Sequence, residues 1–180
     1  MENHCLDHRV HASAIREAKE SDLPIMQDIE RSLGDAFRAI GMVRVAEDEP
    51  LPIDVLREYQ ADGRAWVYVD ADDRPVAYLI AAVVDGDAHI DQVSVRPDHA
   101  RRRIGLALME HMMDWGRAQG CPAATLTTFV EVAWNGPYYE RCGFRYLGDE
   151  ELTPGLRRIR AAEAAHGLDE WPRACMRREL

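Results

Sequence analysis

The segment spanning residues 89–119, HIDQVSVRPDHARRRIGLALMEHMMDWGRAQ, constrains the fold more than any other. Alternating residues run into Val93, Ser94 and Val95, and the run stops at Arg96-Pro97, because proline cannot continue a central strand and holds the residue before it extended. Beyond a short basic turn, Ile104, Leu108, Met112 and Trp115 recur at steps of four, four and three, which places them on one face of a helix. Gly120 closes that helix, and residues 123–129 (AATLTTF) form a further β-rich run. Strand, helix, strand predicts a right-handed crossover joining two parallel strands.

The start of the predicted helix, Arg101, Arg102, Arg103, Ile104, Gly105, Leu106 and Ala107, combines guanidinium groups with small residues. Free N–H groups and the positive end of the helix dipole suit such a place to a phosphate or pyrophosphate. Two familiar phosphate sites are excluded. A Walker loop needs Gly-Lys-Ser/Thr, and the single lysine of the chain, Lys19, lies far away. A dinucleotide fingerprint needs three spaced glycines, and only Gly105 is present.

The rest of the chain reads in order as follows. Residues 1–13 are polar and aperiodic, a flexible tail in which His4, Cys5, His8 and His11 are a conceivable but weak metal set, and residues 14–180 form one domain. A short strand at 15–18 precedes a helix with Ser21 or Asp22 as its N-cap, Pro24 in its first turn and Ile25, Ile29 and Leu33 as its apolar stripe. Residues 34–52 mix apolar residues with glycines and the run Glu47-Asp48-Glu49, and this is the stretch where substrate contacts are expected. A second helix starts at Pro52 and ends at Gly63. The runs 65–69, 76–84 and 88–95 are punctuated by Asp72-Asp73-Arg74-Pro75 and Asp85-Gly86-Asp87, a β-meander with tight turns. Thr153-Pro154 opens a late helix closed by Gly167. Residues 171–180 are expected as a last strand with Ala174 and Met176 inward, too rich in arginine to be central on both faces.

A second motif lies at Trp134–Phe144, WNGPYYERCGF. Asn135-Gly136 turns, Pro137 starts a short helix, Gly143 stops it and Phe144 returns to extended backbone. Tyr138 and Tyr139 point in different directions on that helix, so one can be core while the other lines a cleft.

Together these two stretches resemble the GNAT superfamily of acyl-CoA N-acyltransferases, over roughly residues 15–147, and within it an uncharacterised bacterial branch. The pyrophosphate loop of that family reads Gln or Arg, two residues, Gly, one residue, Gly or Ala. Arg102, Gly105 and Ala107 fit it formally. An ungapped comparison, which is preferred, places Ala100, Arg103 and Gly105 on the three positions, so that Arg103 stands where the first glycine is usual. WNGPYYERCGF matches the late aromatic-Tyr-Glu-x-x-Gly-Phe motif. The resemblance implies a mixed α/β fold with a mostly antiparallel central sheet, a splayed parallel strand pair and flanking helices. It implies acetyl-CoA as cosubstrate and no metal. It gives Tyr139 the role of protonating the departing thiolate, sets Asn135 against the pantetheine or adenosine, and has backbone groups around Val93, Ser94 and Val95 hold the acyl carbonyl and pantetheine.

Deprotonation of the attacking amine then falls to a side chain or to a water it holds. His89 is the first expectation, for its ordinary pKa near neutrality, then Asp91, with Glu30 as the third. The acceptor is expected to be a primary amine of a small molecule, with a protein or peptide amine, a charged tRNA, or a CoA-binding regulatory role without turnover as alternatives. A net charge of -10 argues against a nucleic-acid partner. No apolar run long enough to span a membrane and no secretion signal is visible, and Cys5, Cys121, Cys142 and Cys175 are sparse without a CxxC, so a reducing cytoplasm is expected. Dimers are common in the family, though no self-complementary surface can be read from the residues.

Overall fold

The computed structural model describes residues 14–180, so His4, Cys5, His8 and His11 lie outside the described residues, as does the tail expected at 1–13. Seven strands form a sheet: β1 (Ile15–Glu17), β2 (Ala65–Val69), β3 (Pro75–Val84), β4 (Asp87–Val95), β5 (Ala123–Phe129), β6 (Arg145–Tyr146) and β7 (Arg173–Glu179), in the order β1-β2-β3-β4-β5-β7-β6. The described chain divides into two units. The first runs through Ala81 and adds Gln92–Met112; the second holds Ala82–Asp91 and Met113–Leu180.

In the first unit β1 pairs antiparallel with β2, and β2 with β3. Helix α1 (Leu23–Arg31) buries Leu23, Met26 and Ile29. That is a different stripe from the Ile25, Ile29 and Leu33 of the sequence reading; Ile25 is exposed. Asp22 does occupy the N-cap position, but its carboxylate turns back to accept from the Lys19 N–H at 2.7 Å and from Arg16 at 2.7 Å, so it does not cap α1. Residues 34–52, given no regular structure in the sequence reading, contain two short helices, α2 (Gly34–Ala39) and α3 (Val43–Ala46). Helix α4 (Ile53–Ala61) follows, and Gly63 ends it with a φ of 67°. The core gathers Leu23, Met26 and Ile29 of α1, Leu56 of α4, and Ala65, Val67, Tyr78 and Ile80 of the strands.

In the second unit β4 and β5 are parallel, as a helical crossover requires. Their register covers Ala88–Ile90 and Ala124–Leu126, three residue pairs in strands of nine and seven residues, the expected splayed pair. The turn Asp85-Gly86 has positive φ at both residues, 49° and 90°, the two-residue hairpin that Asp-Gly favours. Helix α5 (Ile104–Ala118) ends before Gly120, at φ 80°. Its Gly116 lies so close to β4 that an added Cβ would stand 2.8 Å from the Ala88 Cβ, so α5 covers the face of the strands that carries Ala88.

Helix α6 (Gly136–Arg141) precedes β6, and helix α7 (Pro154–Ala165) is capped by Thr153, whose Oγ1 accepts from the Leu156 N–H at 3.4 Å. Strand β7 lies between β5 and β6 and pairs antiparallel with both. This corrects the expectation that its arginines keep it from a central position. Arg173 donates to Glu163 at 2.9 Å, Arg177 pairs with Asp87 and Glu179, and Arg178 donates to the Cys142 carbonyl at 2.9 Å. The arginines have partners, and the adjacent residues Cys175 and Met176, which point to opposite faces of the strand, are both buried.

Candidate active site

The turn before α5 is built on unusual backbone. Arg101 and Arg103 both have positive φ, 63° and 59°, the left-handed region that glycine enters freely and an arginine enters at a cost of about 1 kcal/mol or more. The first helical i to i−4 bond is Ala107 N–H to the Arg103 carbonyl, at 3.0 Å, so the N–H groups of Ile104, Gly105 and Leu106 precede the ladder and have no carbonyl within the helix. Left-handed residues beside a helix start turn successive N–H groups into a concavity that suits an anion. Arg101, Arg102 and Arg103 are exposed, and none has a carboxylate within ion-pairing distance among the described residues. Ile104 and Gly105 are buried, Leu106 and Ala107 half-buried. The backbone at Arg101 and at Arg103 is thus of the kind that glycine adopts freely.

Upstream in the same unit, Ser94 is buried between the half-buried Val93 and Val95, and its Oγ accepts from Gln92 Nε2 at 2.9 Å. Its hydroxyl also acts on the oxygen of Tyr78. Tyr78 is fully buried and donates to Oε2 of Glu30 at 2.8 Å. Burial raises the Glu30 pKa above the usual carboxylate value, and the neighbouring Asp48 adds to this. The Tyr78 hydrogen bond and Arg31 act in the opposite direction.

In the second unit Tyr139 stands on α6 with its ring edge-on to Tyr138 at 5.5 Å and to Phe144 at 6.2 Å between centroids. Burial raises its pKa above the ordinary tyrosine value, so it stays protonated through the neutral range. Asn135 begins α6 and its side chain caps nothing there, its carbonyl alone accepting from the Tyr139 N–H at 2.9 Å. At Gly136 an added Cβ would overlap the Tyr146 hydroxyl and press on the Phe129 and Val130 carbonyl oxygens at 3.1 Å, so a side chain there requires Tyr146 to move.

The structure changes the basis on which His89 and Asp91 were chosen. His89 is only 2% exposed, and its Nδ1 is 2.8 Å from Thr125 Oγ1. It lies on the strand face that carries Thr125 and Thr127, and Thr127 donates to Glu163 of α7. Burial lowers the His89 pKa to about 4, partly offset by Glu163, so the near-neutral titration expected of it does not hold. Asp91 is exposed. The neighbourhood of Glu163, which accepts from Thr127, Arg160 and Arg173, escaped the sequence reading. The spacing Leu156, Arg160, Glu163 was the signal available, because steps of four and three put the single acid of α7 on the side of the buried Leu156. On the opposite strand face Thr128 is 2% exposed, and its Oγ1 is without a hydrogen-bond partner among the described residues.

A histidine held neutral in the fold makes stability depend on pH. The unfolded chain takes up a proton near pH 6.5 and the folded chain only near 4, so stability falls as pH drops through that window. Chemical denaturation at pH 7 and pH 5 should show about 2 kcal/mol less stability at pH 5 from this group. His89→Asn, which can keep the Thr125 hydrogen bond, should flatten that difference; an unchanged slope would show that His89 is not its source.

The acetyltransferase (GNAT) family profile matches residues 26–144, from α1 through both motif stretches. The chain belongs to this family. A [ribosomal protein bS18]-alanine N-acetyltransferase from Salmonella typhimurium is 35% identical over 74 residues, 41% of this chain and 50% of that protein. The chain thus spans about half the length of that curated relative. Among solved structures, an N-acetylglutamate synthase from Neisseria gonorrhoeae, complexed with coenzyme A and N-acetyl-glutamate, superposes with a TM-score of 0.70 at 17% identity, over 92% of this chain and 34% of that one. The ribosomal-protein-S18-alanine N-acetyltransferase of Escherichia coli gives 0.62 at 20% identity, over 92% of both chains. These likenesses establish the fold of this acetyltransferase-family chain. Among the described residues no helix is long and apolar enough to cross a membrane, and no group of three or more His, Cys, Asp or Glu is placed to hold a metal.

Proposed function

We propose that this GNAT-family chain transfers the acetyl group of acetyl-CoA to a primary amine by direct attack of the amine on the thioester. The observation that carries the reading is the turn before α5. Two arginines held in glycine-type backbone, the unladdered N–H groups of Ile104, Gly105 and Leu106, and guanidiniums with no carboxylate partner among the described residues, in a chain of net charge -10, make a pyrophosphate cradle. Val93, Ser94 and Val95 supply the strand against which the acyl carbonyl and pantetheine are held. Asn135, whose side chain caps nothing, contacts the cofactor arm, and Tyr139, kept protonated by burial, supplies the proton to the thiolate.

The acceptor has two readings. The sequence reading names a small-molecule primary amine. The Salmonella relative, by its name, modifies an alanine of a ribosomal protein, and 35% identity across 74 residues favours a peptide α-amine here. The net negative charge suits a cationic amine of either kind.

Calorimetric titration with CoA tests the cradle. Wild-type protein should bind, and Gly105→Glu, which sets a carboxylate into the buried first turn facing the pyrophosphate, should weaken binding at least about tenfold while Gly105→Ala keeps most of it. Equal CoA affinity in all three proteins would place the pyrophosphate elsewhere.

A further inference from the structure

We propose that Tyr78 and Ser94 are positioning residues for acetyl transfer, tying the strand segment Val93–Val95 through a buried relay of side chains to the Glu30 carboxylate on α1. The proposal rests on the acetyl-transfer reading above and deepens it, naming what fixes the strand on which that reading places the acyl carbonyl. Every member of the relay lies in the first unit.

The relay begins on β4, where Gln92 Nε2 donates to Ser94 Oγ at 2.9 Å. The Arg96 N–H reaches the Val76 carbonyl of β3 at 3.0 Å, and this antiparallel register sets Ser94 opposite Tyr78 on the same face. There the Ser94 hydroxyl acts on the Tyr78 oxygen, and the Tyr78 hydroxyl donates to Glu30 Oε2 at 2.8 Å. The direction is fixed at both ends, because an amide nitrogen only donates and an ionised carboxylate only accepts. Each hydroxyl between them takes one bond and gives one.

Tyr78 is fully buried and Ser94 is 2% exposed. The tyrosine stands in the core among Leu23, Met26 and Ile29 of α1, Leu56 of α4, and Val67 and Ile80 of the strands. A phenylalanine ring would fill that space with no need of a partner, so what the hydroxyl adds is the tie between α1 and β4. A satisfied polar relay inside an apolar core stiffens the groups it joins and selects one arrangement of them.

The segment it joins gains from such stiffening. Strand β4 pairs with β5 over Ala88–Ile90, so Val93–Val95 lie past that pairing and have β3 as their strand neighbour. A strand that offers backbone groups to an incoming carbonyl gives up ladder bonds on that side, and its own position must then be set from the other. Ser94 is the middle residue of the three. Anchoring its side chain to the core fixes the backbone on either side of it. Stabilisation of charge developing on the acyl oxygen depends on that placement, whereas CoA, which has no acyl group, does not sense it.

Tyr78→Phe, Ser94→Ala and the double variant test this, with thiol release from acetyl-CoA using short peptides, amino-acid amides and polyamines, CoA calorimetry and thermal unfolding on the same preparations. Each single variant should lower kcat at least about tenfold while CoA affinity stays within about twofold of wild type. The double variant should be no slower than the slower single one, because a relay already cut is not cut again. A merely structural role would lower the melting temperature and leave the kcat of the folded protein unchanged. Unchanged kcat in both single variants, losses that multiply in the double variant, or CoA affinity falling in step with kcat overturns the proposal. If Tyr78→Phe does not fold, Ser94→Ala, which removes one oxygen, decides by the same split between kcat and CoA affinity. Wild type that binds no CoA, or that binds it and acetylates none of these amines, overturns the acetyl-transfer reading and this proposal with it; wild-type turnover matched by the variants overturns this proposal alone.

Discussion

Replacing Glu163 with alanine is expected to destabilise the fold by about 3 kcal/mol, which for a chain of this size lowers the melting temperature by roughly 6–12 °C. The carboxylate is 15% exposed and accepts from Arg173, Arg160 and Thr127, while Arg173, at 9% exposure, has its guanidinium over the Phe129 ring at 4.3 Å. Removing the acid takes the carboxylate from the Arg173 guanidinium, which is left with the Thr127 Oγ1 at 3.2 Å, and takes the acceptor from the half-buried Thr127 hydroxyl; that unmet desolvation is the larger part of the loss. Burial by itself raises the Glu163 pKa, but the Arg173 hydrogen bonds and charge, with Thr127 and Arg160, outweigh it and hold the group below the usual carboxylate value. The stabilisation is therefore present above the unfolded carboxylate pKa and is lost as pH falls through the lower folded one. Urea denaturation at pH 7 measures the effect, and the difference between variant and wild type should shrink in acid. Glu163→Gln, which can still accept from Thr127, should lose less than the alanine. A deficit below about 1 kcal/mol for the alanine would mean that α7 is held by Leu156 and its apolar neighbours alone.

That cluster also shows where reading the sequence stopped short. The strands at 65–69 and 123–129 and the crossover helix were legible because apolar period and turn residues agree there: Asp-Gly at 85–86, Gly120 after α5 and Gly143 after α6 each take the positive φ their type predicts. The stripe of α1 was misplaced because Leu23, Met26 and Ile29 compete with an equally periodic Ile25, Ile29 and Leu33, and only packing decides between them. Helices α2 and α3, six and four residues long, are too short to carry a period. Strand β7 departs from the expectation because composition reports charge and not its partner: Asp87 and Glu163, both outside the strand, neutralise Arg177 and Arg173. His89 has the same explanation, since its pKa is set by burial in the fold and not by its own ring. At Arg101 and Arg103 the residue types argue against a left-handed turn, and only the ungapped comparison with the family pattern put a glycine position at Arg103.

Tyr139→Phe is expected to lower kcat on the order of 10³-fold with CoA affinity unchanged. The substitution keeps the ring, and with it the edge contacts to Tyr138 and Phe144, so folding stability should change little; what is lost is one hydroxyl. That hydroxyl can serve as a proton donor because it is protonated through the neutral range, and a neutral phenol can transfer its proton to a thiolate formed beside it. The group fails as a general base for the same reason. Steady-state thiol release and CoA calorimetry on the same preparations separate the cases. A fall in kcat with the affinity preserved assigns Tyr139 to the chemical step, because binding lost equally by ground and transition states would have appeared in the titration. Wild-type turnover in Tyr139→Phe would give the thiolate its proton from water or another residue. A chain that binds CoA, turns over no amine and keeps its cellular effect after this substitution would be a CoA-responsive regulator in an acetyltransferase fold, and the loop before α5 would then serve recognition alone.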